Sequence, residues 1–397
     1  MISKKMRPLV ENNSAIRVMF EEGKRLAGLY GAENVFDFSL GNPNVPAPAA
    51  VNRAIADVLR EEDSVAVHGY MSNAGFSDTR TAVADSLNRR FGTNLKEGNI
   101  VMISGAAGGL NAVLKAILDP GDEVVTFAPY FLEYRNYVAN YEARLLEVPP
   151  DTETFQPDAD ALGTMITEKT RAVLINNPNN PTGVIYPEEA IIRIAEVLRG
   201  KERAYGHAIY LISDEPYREL AYEGAQVPFV TRYYADAVVV YSFSKSLSLP
   251  GERIGYVAVP DEAEDAESLT QAIVIANRVL GHVNAPSLMQ RMLVRCIDEE
   301  TDLEAYDQNR KLLYESLTEY GFQCIRPEGA FYLFVKSPEA DEHRFCQAAK
   351  RHRILFVPGS SFSCPGFVRI AYCVSYDTIR NSLPAFKELA EEYRLNM

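Results

Sequence analysis

A single lysine, Lys245, directly follows an apolar run that could place its amine beside a ligand. Residues 237–241 are rich in β-branched valine and predict a strand buried on both faces. Ligands bind in the crevice beyond the carboxyl ends of parallel strands, so an amine placed there is a candidate nucleophile. A lone lysine after a strand is more often an ordinary solvated loop residue. The interpretation therefore depends on other residues at the same sheet edge.

Three further apolar runs also stop at polar or aromatic residues. DEVVTFAPYF ends near Phe131, RAVLINNPNN runs into a turn that contains Asn180, and HAIYLISDEPY contains Asp214 and Tyr217. Such runs alternate with helical segments, which predicts an α/β fold with a doubly wound, mostly parallel sheet and helices on both faces. In that fold these side chains and Lys245 are expected to face one crevice.

The stretch NIVMISGAAGGLNAVLKAILDPGDEVV predicts a strand, a glycine-rich turn and a helix. Backbone N–H groups at such a helix start are unpaired and the helix dipole adds positive charge, so Gly105, Ala106 and Ala107 could bind a phosphate. The spacing is not GxGxxG, and no Gly-Lys-Ser or Gly-Lys-Thr follows. A dinucleotide fingerprint and a P-loop are therefore not predicted, and the turn alone is weak evidence.

Composition limits the classes of protein and partner. The chain has 397 residues, 47% of them hydrophobic and 24% charged, which is typical of a globular protein of two or three domains. A net charge of −14 makes nucleic acid and anionic membranes unfavourable partners. The five cysteines contain no CxxC pair, and the N-terminus lacks the apolar stretch of a secretory signal. We expect a cytoplasmic protein without a metal site.

We expect three segments along the chain. Residues 1–47 are predicted to form an N-terminal arm and part of a small domain, residues 48–284 a large domain, and residues 285–397 the rest of a smaller α+β domain. Ser14 is a candidate cap for a first helix that ends near Gly31. Residues 261–268 predict an acidic helical stretch, and Pro384 suggests that the last helix is kinked or starts late.

One cofactor, pyridoxal phosphate, would make use of all of these groups. Its aldehyde needs an amine, which Lys245 offers, and its ring nitrogen needs a carboxylate, which Asp214 offers. Its ring oxygen accepts from donors such as Tyr217 and Asn180, and Phe131 can pack on its ring face. The candidates for its phosphate are the helix start at Gly105, Ala106 and Ala107, the hydroxyls of Ser242 and Ser244, and the Arg253 guanidinium.

The sequence resembles the class I and II aminotransferases of the fold type I pyridoxal-phosphate family over nearly its whole length. The motifs that carry the resemblance occur in the family's order and are NNPNNPTG, DEPY, SFSKSLSLPGERIGY and FVRIAY. The resemblance implies that Lys245 bonds the cofactor and moves a proton between the substrate Cα and the cofactor. It also implies that Arg369 binds the substrate α-carboxylate, with help from Asn180 and the backbone at Gly41.

By the same resemblance, Tyr70 would reach the cofactor phosphate of a neighbouring subunit, so the active unit would be a homodimer. The sequence departs from many relatives at Ala106 and Ala107, where a larger polar residue or threonine is common. Backbone N–H groups would then bind more of the phosphate. Arg278 lies near the place where some relatives bind a side-chain carboxylate, but an ordinary exposed helix arginine is the alternative.

The function predicted from these residues is transfer of an amino group from an L-amino acid, aspartate-type or aromatic-type, to a 2-oxo acid such as 2-oxoglutarate. A lyase, decarboxylase or cyclising synthase could use the same scaffold and lysine. A ligand-sensing regulator built on such a domain is a remote alternative, because the catalytic pattern begins within the first 50 residues. Such a regulator needs a DNA-binding module, which a net charge of −14 does not favour.

Overall fold

The computed structural model describes residues 2–11 and 15–395. The helices are α1 (Met6–Glu11), α2 (Ala15–Tyr30), α3 (Ala49–Glu61), α4 (Ser64–His68), α5 (Ser77–Phe91), α6 (Gly105–Ile117), α7 (Tyr134–Ala139), α8 (Ala159–Met165), α9 (Glu188–Tyr205), α10 (Phe243–Ser246), α11 (Ala266–Val279), α12 (Ser287–Cys296), α13 (Leu303–Glu319), α14 (Glu342–Arg351) and α15 (Tyr376–Glu392). The strands are β1 (Phe36–Asp37), β2 (Ile100–Ile103), β3 (Glu123–Phe127), β4 (Arg144–Val148), β5 (Thr170–Asn176), β6 (Tyr210–Asp214), β7 (Ala237–Ser242), β8 (Gly255–Ala258), β9 (Tyr332–Lys336), β10 (Ile354–Leu355), β11 (Val357–Pro358) and β12 (Phe367–Ala371).

A seven-stranded sheet in the order β2-β8-β7-β6-β5-β3-β4 forms the centre of the molecule. The five strands from β7 to β4 in this order pair in parallel, whereas β8 and β2 join antiparallel at one edge. Side chains alternate between the two faces of each strand. In β7, Val238 and Val240 pack with α6 and α11, and Val239 and Tyr241 pack with α5, α9 and α12. Helices therefore cover both faces, and the predicted doubly wound, mostly parallel sheet is confirmed.

A second, antiparallel sheet of three strands has the order β11-β12-β9, with Arg369 opposite Phe334 and Val357. Near it, β1 pairs in parallel with β10, so that Phe36 lies opposite Ile354. Phe36 and Phe38 share a hydrophobic cluster with residues of α13, α14 and α15. The N-terminal strand and the last quarter of the chain thus pack in one core.

The structure corrects several details predicted from the sequence. The acidic stretch 261–268 is not helical throughout, because α11 begins only at Ala266 after Asp265, whose φ is +52°. The last helix does not start late: α15 begins at Tyr376, capped by the Ser375 side chain, and Pro384 lies inside it. Strand β4 was not predicted, because it is a half-exposed edge strand without a clear apolar run. Ser14, the candidate cap of α2, lies outside the described residues.

The predicted domain boundaries at residues 47 and 284 stay predictions. Helix α12, which follows the second boundary, packs on α3 and α5 through Met289, Met292 and Leu293. Within the part of the chain that the structure describes, no helix combines the length and apolar character needed to cross a membrane.

Candidate active site

A cavity of about 270 Å³ lies at the carboxyl ends of β5, β6 and β7 and at the start of α6. Its walls bring together residues from both sheets and from the loop after β1. The sequence-predicted residues that line it are Gly41, Ala106, Ala107, Phe131, Asn180, Asp214, Tyr217, Ser242, Ser244, Lys245, Arg253 and Arg369. The two other candidates, Gly105 and Tyr70, do not line the cavity, although Gly105 adjoins it as the first residue of α6.

Lys245 lies on the short helix α10, whose start is capped by the Ser242 side chain. Its Nζ donates a hydrogen bond of 2.8 Å to the carbonyl oxygen of Gly41. Burial lowers the pKa of Lys245 to about 8, and the positive charges of Arg253 and Arg369 act in the same direction. More of this amine is therefore uncharged near neutral pH than in an ordinary lysine, and the uncharged form is the one that attacks a carbonyl.

Asp214 ends β6 and offers one free oxygen to the cavity. Its Oδ2 accepts a hydrogen bond of 2.6 Å from the Tyr134 hydroxyl, whereas its buried Oδ1 has no hydrogen-bond partner in the described structure. Asn176 donates to the Asp214 backbone carbonyl at 2.8 Å and so fixes the end of the strand. Burial raises the pKa of Asp214 to about 7, and the bond from Tyr134 opposes that rise. A cationic N–H at Oδ1 would complete this site.

The start of α6, Ser244 on α10 and Arg253 on the loop before β8 form a cradle for an anion. Gly105 has a φ of +70°, which favours glycine, and a Cβ at this position would lie 2.4 Å from Nη2 of Arg253 and would displace the guanidinium. Arg253 also reaches the Ser244 hydroxyl at 3.5 Å, and that hydroxyl lies 2.7 Å from the Ser242 hydroxyl. The first N–H groups of α6 have no partner within the helix and add their positive dipole. This arrangement suits a phosphate group.

Arg369 lies on β12 with its guanidinium buried. Nη1 donates to Asn180 at 3.0 Å and Nη2 to the Ser39 carbonyl at 2.6 Å, whereas the buried Nε has no partner in the described structure. The rings of Tyr332 and Phe362 enclose the guanidinium at 4.5 and 4.9 Å. Among the described residues, no carboxylate forms an ion pair with it. A buried guanidinium with neutral neighbours favours an anionic ligand such as a carboxylate.

Sequence reasoning missed three residues that complete the site, Tyr134, Asn176 and Tyr332. Asn176 could have been found, because it is the polar residue that ends the apolar run RAVLIN. Tyr134 and Tyr332 carry no local signal that separates them from the other buried tyrosines. The exposed side chain of Arg278, in the last turn of α11, does not line the cavity.

Tyr70 follows α4, and 94% of its surface is exposed. This placement is compatible with a contact to a second subunit but does not test one. The predicted reach of Tyr70 to a neighbouring cofactor stays a prediction.

Three features lie together at the strand ends of the parallel sheet: a buried lysine, a carboxylate oxygen without a partner, and a helix N-terminus with unpaired N–H groups. Together they define a class of enzyme that holds a phosphate-bearing cofactor beside a reactive amine. A sequence model of the family described as "Aminotransferase class I and II" matches residues 33–386. The chain belongs to this family and is a pyridoxal-phosphate-dependent aminotransferase.

Individual relatives agree with this assignment. The chain is 32% identical over 355 residues to a probable aspartate/prephenate aminotransferase from Thermus aquaticus, a match that covers 88% of this chain and 89% of the relative. Among solved structures, it resembles an aminotransferase from Eubacterium rectale with 49% identity, a TM-score of 0.97 and 99% of each chain covered. It also resembles an aspartate aminotransferase from Thermus thermophilus with maleate, with 27% identity, a TM-score of 0.86 and coverage of 98% and 100%.

Pyridoxal phosphate fits the residues present in this cavity. The unpaired Asp214 Oδ1 is an acceptor that the protonated ring nitrogen can satisfy. The glycine start of α6 leaves room for a phosphate beside Arg253. The uncharged form of Lys245 is the nucleophile that an aldehyde requires.

Proposed function

We propose that this cavity transfers the amino group of an L-amino acid, aspartate-type or aromatic-type, to a 2-oxo acid such as 2-oxoglutarate. The observation that carries the proposal is the placement of Arg369, a buried guanidinium with no ion-pair partner among the described residues, on the wall of the cavity that contains Lys245. Both half-reactions use substrates with an α-carboxylate, which Arg369 can bind through a two-bond fork. The relative from Thermus aquaticus is named a probable aspartate/prephenate aminotransferase and that from Thermus thermophilus an aspartate aminotransferase, which supports aspartate as one donor.

Pyridoxal phosphate, when bound, supplies an electron-withdrawing ring that weakens the bonds at the substrate Cα. Asp214 would hold the positive charge at the ring nitrogen, and Tyr217 and Asn180 would donate to the ring oxygen. Phe131 would pack on the ring face. Lys245 would move a proton between the substrate Cα and the cofactor, for which an amine with a pKa of about 8 is suited because it changes protonation near neutral pH.

Replacement of Lys245 by alanine tests the proposed function. The variant should lose both the visible absorbance of the lysine-bound cofactor and amino transfer, since no other amine takes its place in the cavity. Lys115→Ala, which changes an exposed lysine on α6, is the matched control and should keep both properties. Amino transfer by Lys245→Ala without an added amine would contradict the proposal.

A panel of amino acids mixed one by one with the cofactor-loaded protein separates this function from its alternative. A transferase should convert the cofactor to its amine form in a single turnover, and 2-oxoglutarate should then restore the original absorbance. A lyase, decarboxylase or cyclising synthase would release product and leave the absorbance unchanged after each turnover. That second result would overturn the transfer reaction but not the cofactor site.

We also propose a homodimer in which Tyr70 reaches the partner's site. The exposure of Tyr70 and of the nearby apolar residues Leu59 and Val65 supports such an interface. Light scattering should then give a mass near twice 44.2 kDa. A mass of one chain at working concentration would refute the shared site.

The three-segment division of the chain at residues 47 and 284 and a cytoplasmic location are further proposals. The five cysteines are free thiols in the structure, which is typical of proteins from reducing compartments. Limited proteolysis would test the domain boundaries, because cleavage between domains is expected in exposed connections.

A further inference from the structure

Tyr332, the first residue of β9, contacts three different parts of the cavity. Its hydroxyl lies 2.8 Å from the hydroxyl of Tyr217, and its ring lies 4.5 Å from the Arg369 guanidinium. A Cβ at Gly41 would lie only 2.1 Å from the Tyr332 hydroxyl oxygen. The loop whose Gly41 carbonyl accepts from Lys245 therefore lies directly against the Tyr332 hydroxyl. One buried side chain thus joins the predicted donor for the ring oxygen to the predicted carboxylate site.

The hydrogen bond between the two hydroxyls can run in either direction, because each hydroxyl carries one proton and can also accept. Within the described structure, Tyr217 is the hydrogen-bond partner of the Tyr332 hydroxyl. When Tyr217 donates its own proton to a ligand in the cavity, its oxygen can accept only a proton that Tyr332 supplies. Donation by Tyr332 thus leaves the Tyr217 proton free to point into the cavity.

We propose that Tyr332 is a positioning residue that directs the Tyr217 proton toward the ring oxygen of the cofactor and holds the Arg369 guanidinium in place for the substrate carboxylate. The inference rests on the proposed function, because that function gives Tyr217 and Arg369 their ligands. The two roles belong to different atoms of Tyr332. The hydroxyl acts on Tyr217, and the ring acts on Arg369.

The structure predicts that the two roles can be separated by substitution. Tyr332→Phe removes the hydroxyl and keeps the ring, so cofactor binding should weaken while the KM for the amino acid changes little. Tyr332→Leu also removes the ring, so the KM should rise as well. A tyrosine that served only the fold would lower thermal stability without producing this split.

The hydroxyl role is tested with Tyr332→Phe, Tyr217→Phe, the double variant and the control Tyr372→Phe. The hydroxyl of Tyr372 is also buried near β9, and it donates to the Ala330 carbonyl at 3.3 Å, outside the cavity. Titration of the cofactor-free proteins with pyridoxal phosphate gives the Kd. We expect a rise of roughly fivefold for Tyr332→Phe and none for Tyr372→Phe. The double variant should be no weaker than Tyr217→Phe alone, because the first hydroxyl acts through the second.

The pH midpoint of the visible absorbance is an independent readout. A donor at the ring oxygen stabilises negative charge there and lowers the pH at which the bound chromophore loses its proton. Tyr332→Phe should therefore raise this midpoint, by less than Tyr217→Phe does. Incorporation of 3-fluorotyrosine at position 332 makes the hydroxyl more acidic with little change in shape, and it should lower the midpoint.

Three results would overturn the inference. The first is an additive loss of cofactor affinity in the double variant. The second is a Tyr332→Phe protein that matches Tyr372→Phe in its Kd for pyridoxal phosphate and in its pH midpoint. The third is an unchanged pH midpoint with 3-fluorotyrosine at position 332, a replacement that keeps the fold intact. Failure of the proposed function looks different, because the unsubstituted protein would then release product from an amino acid without converting the bound cofactor to its amine form.

Discussion

Two buried acids that are adjacent in the sequence, Asp214 and Glu215, have opposite surroundings. Glu215 accepts from Arg218 and from the Ser213 hydroxyl, and Arg218 also donates to two backbone carbonyls and packs against the rings of Phe91 and Phe229. Asp214 faces the cavity and has only neutral partners and one oxygen without a hydrogen bond. Glu215 is neutralised within the protein by Arg218, whereas Asp214 is left for a ligand.

Arg218 and Arg369, two buried positive charges, differ in the same way. Both guanidinium groups are buried and lie against aromatic rings, but only Arg218 has a carboxylate partner within the described structure. Burial of a charge is therefore a poor guide to function here. What separates the charges of the cavity from the Glu215–Arg218 ion pair is whether each buried charge has a countercharge of its own.

The largest effect is expected where the ion pair is broken. Arg218→Met should destabilise the protein by about 3–5 kcal/mol, because Glu215 would be left buried without its countercharge. Thermal unfolding measures the loss, and the double variant Glu215→Gln/Arg218→Met should recover part of it. An Arg218→Met variant as stable as the unsubstituted protein would contradict the structural role of the Glu215–Arg218 ion pair.

Asp214→Asn should instead preserve stability and lower kcat by roughly 100- to 1,000-fold, because a preorganised charge at the ring nitrogen is lost. The neutral amide also removes an unfavourable buried charge from the cofactor-free protein. Steady-state kinetics and thermal unfolding of the same sample measure the two quantities. A loss of stability comparable with that of Arg218→Met would show that Asp214 has a structural role like that of Glu215.

Arg369→Gln should raise the KM for the amino acid by roughly 10- to 100-fold, since charge-assisted hydrogen bonds to the carboxylate are lost. The affinity for pyridoxal phosphate should remain unchanged. Arg326→Gln is a control, because that arginine is exposed and already pairs with Glu223. An unchanged KM in Arg369→Gln would refute its assignment to the substrate.

The smallest effect is expected at Tyr134. Tyr134→Phe removes the hydrogen bond that favours ionised Asp214, so the pKa of Asp214 should rise above its value of about 7. Asp214 would then stay protonated up to a higher pH. The Kd for pyridoxal phosphate should rise by roughly fivefold, most strongly at low pH. Tyr130→Phe, whose hydroxyl contacts Glu147 rather than Asp214, is the matched control. Equal pH profiles for the two variants would exclude this role.

The sequence was sufficient to predict the half of the site that lies at the ends of parallel strands. Apolar runs that end at Asp214 or shortly before Asn180 and Lys245 identify such ends, and sheet geometry requires them to share one edge. Tyr134 and Tyr332 could not be predicted in the same way. Their roles depend on partners 80 and 115 residues away, and no periodicity within one element encodes a pairing across such distances.

The contacts of the short segment from Ser39 to Gly41 affect the order in which parts of the enzyme fold. Its carbonyls accept from Arg369 across 330 positions of the chain and from Lys245 across 204. Such contacts carry the highest loop-closure entropy and form late, after local helices and neighbouring strands. During synthesis on a ribosome, Arg369 emerges long after the Ser39 carbonyl to which it donates. The catalytic pocket is therefore among the last features to mature, and a nascent chain can complete its central sheet before it is able to bind a substrate.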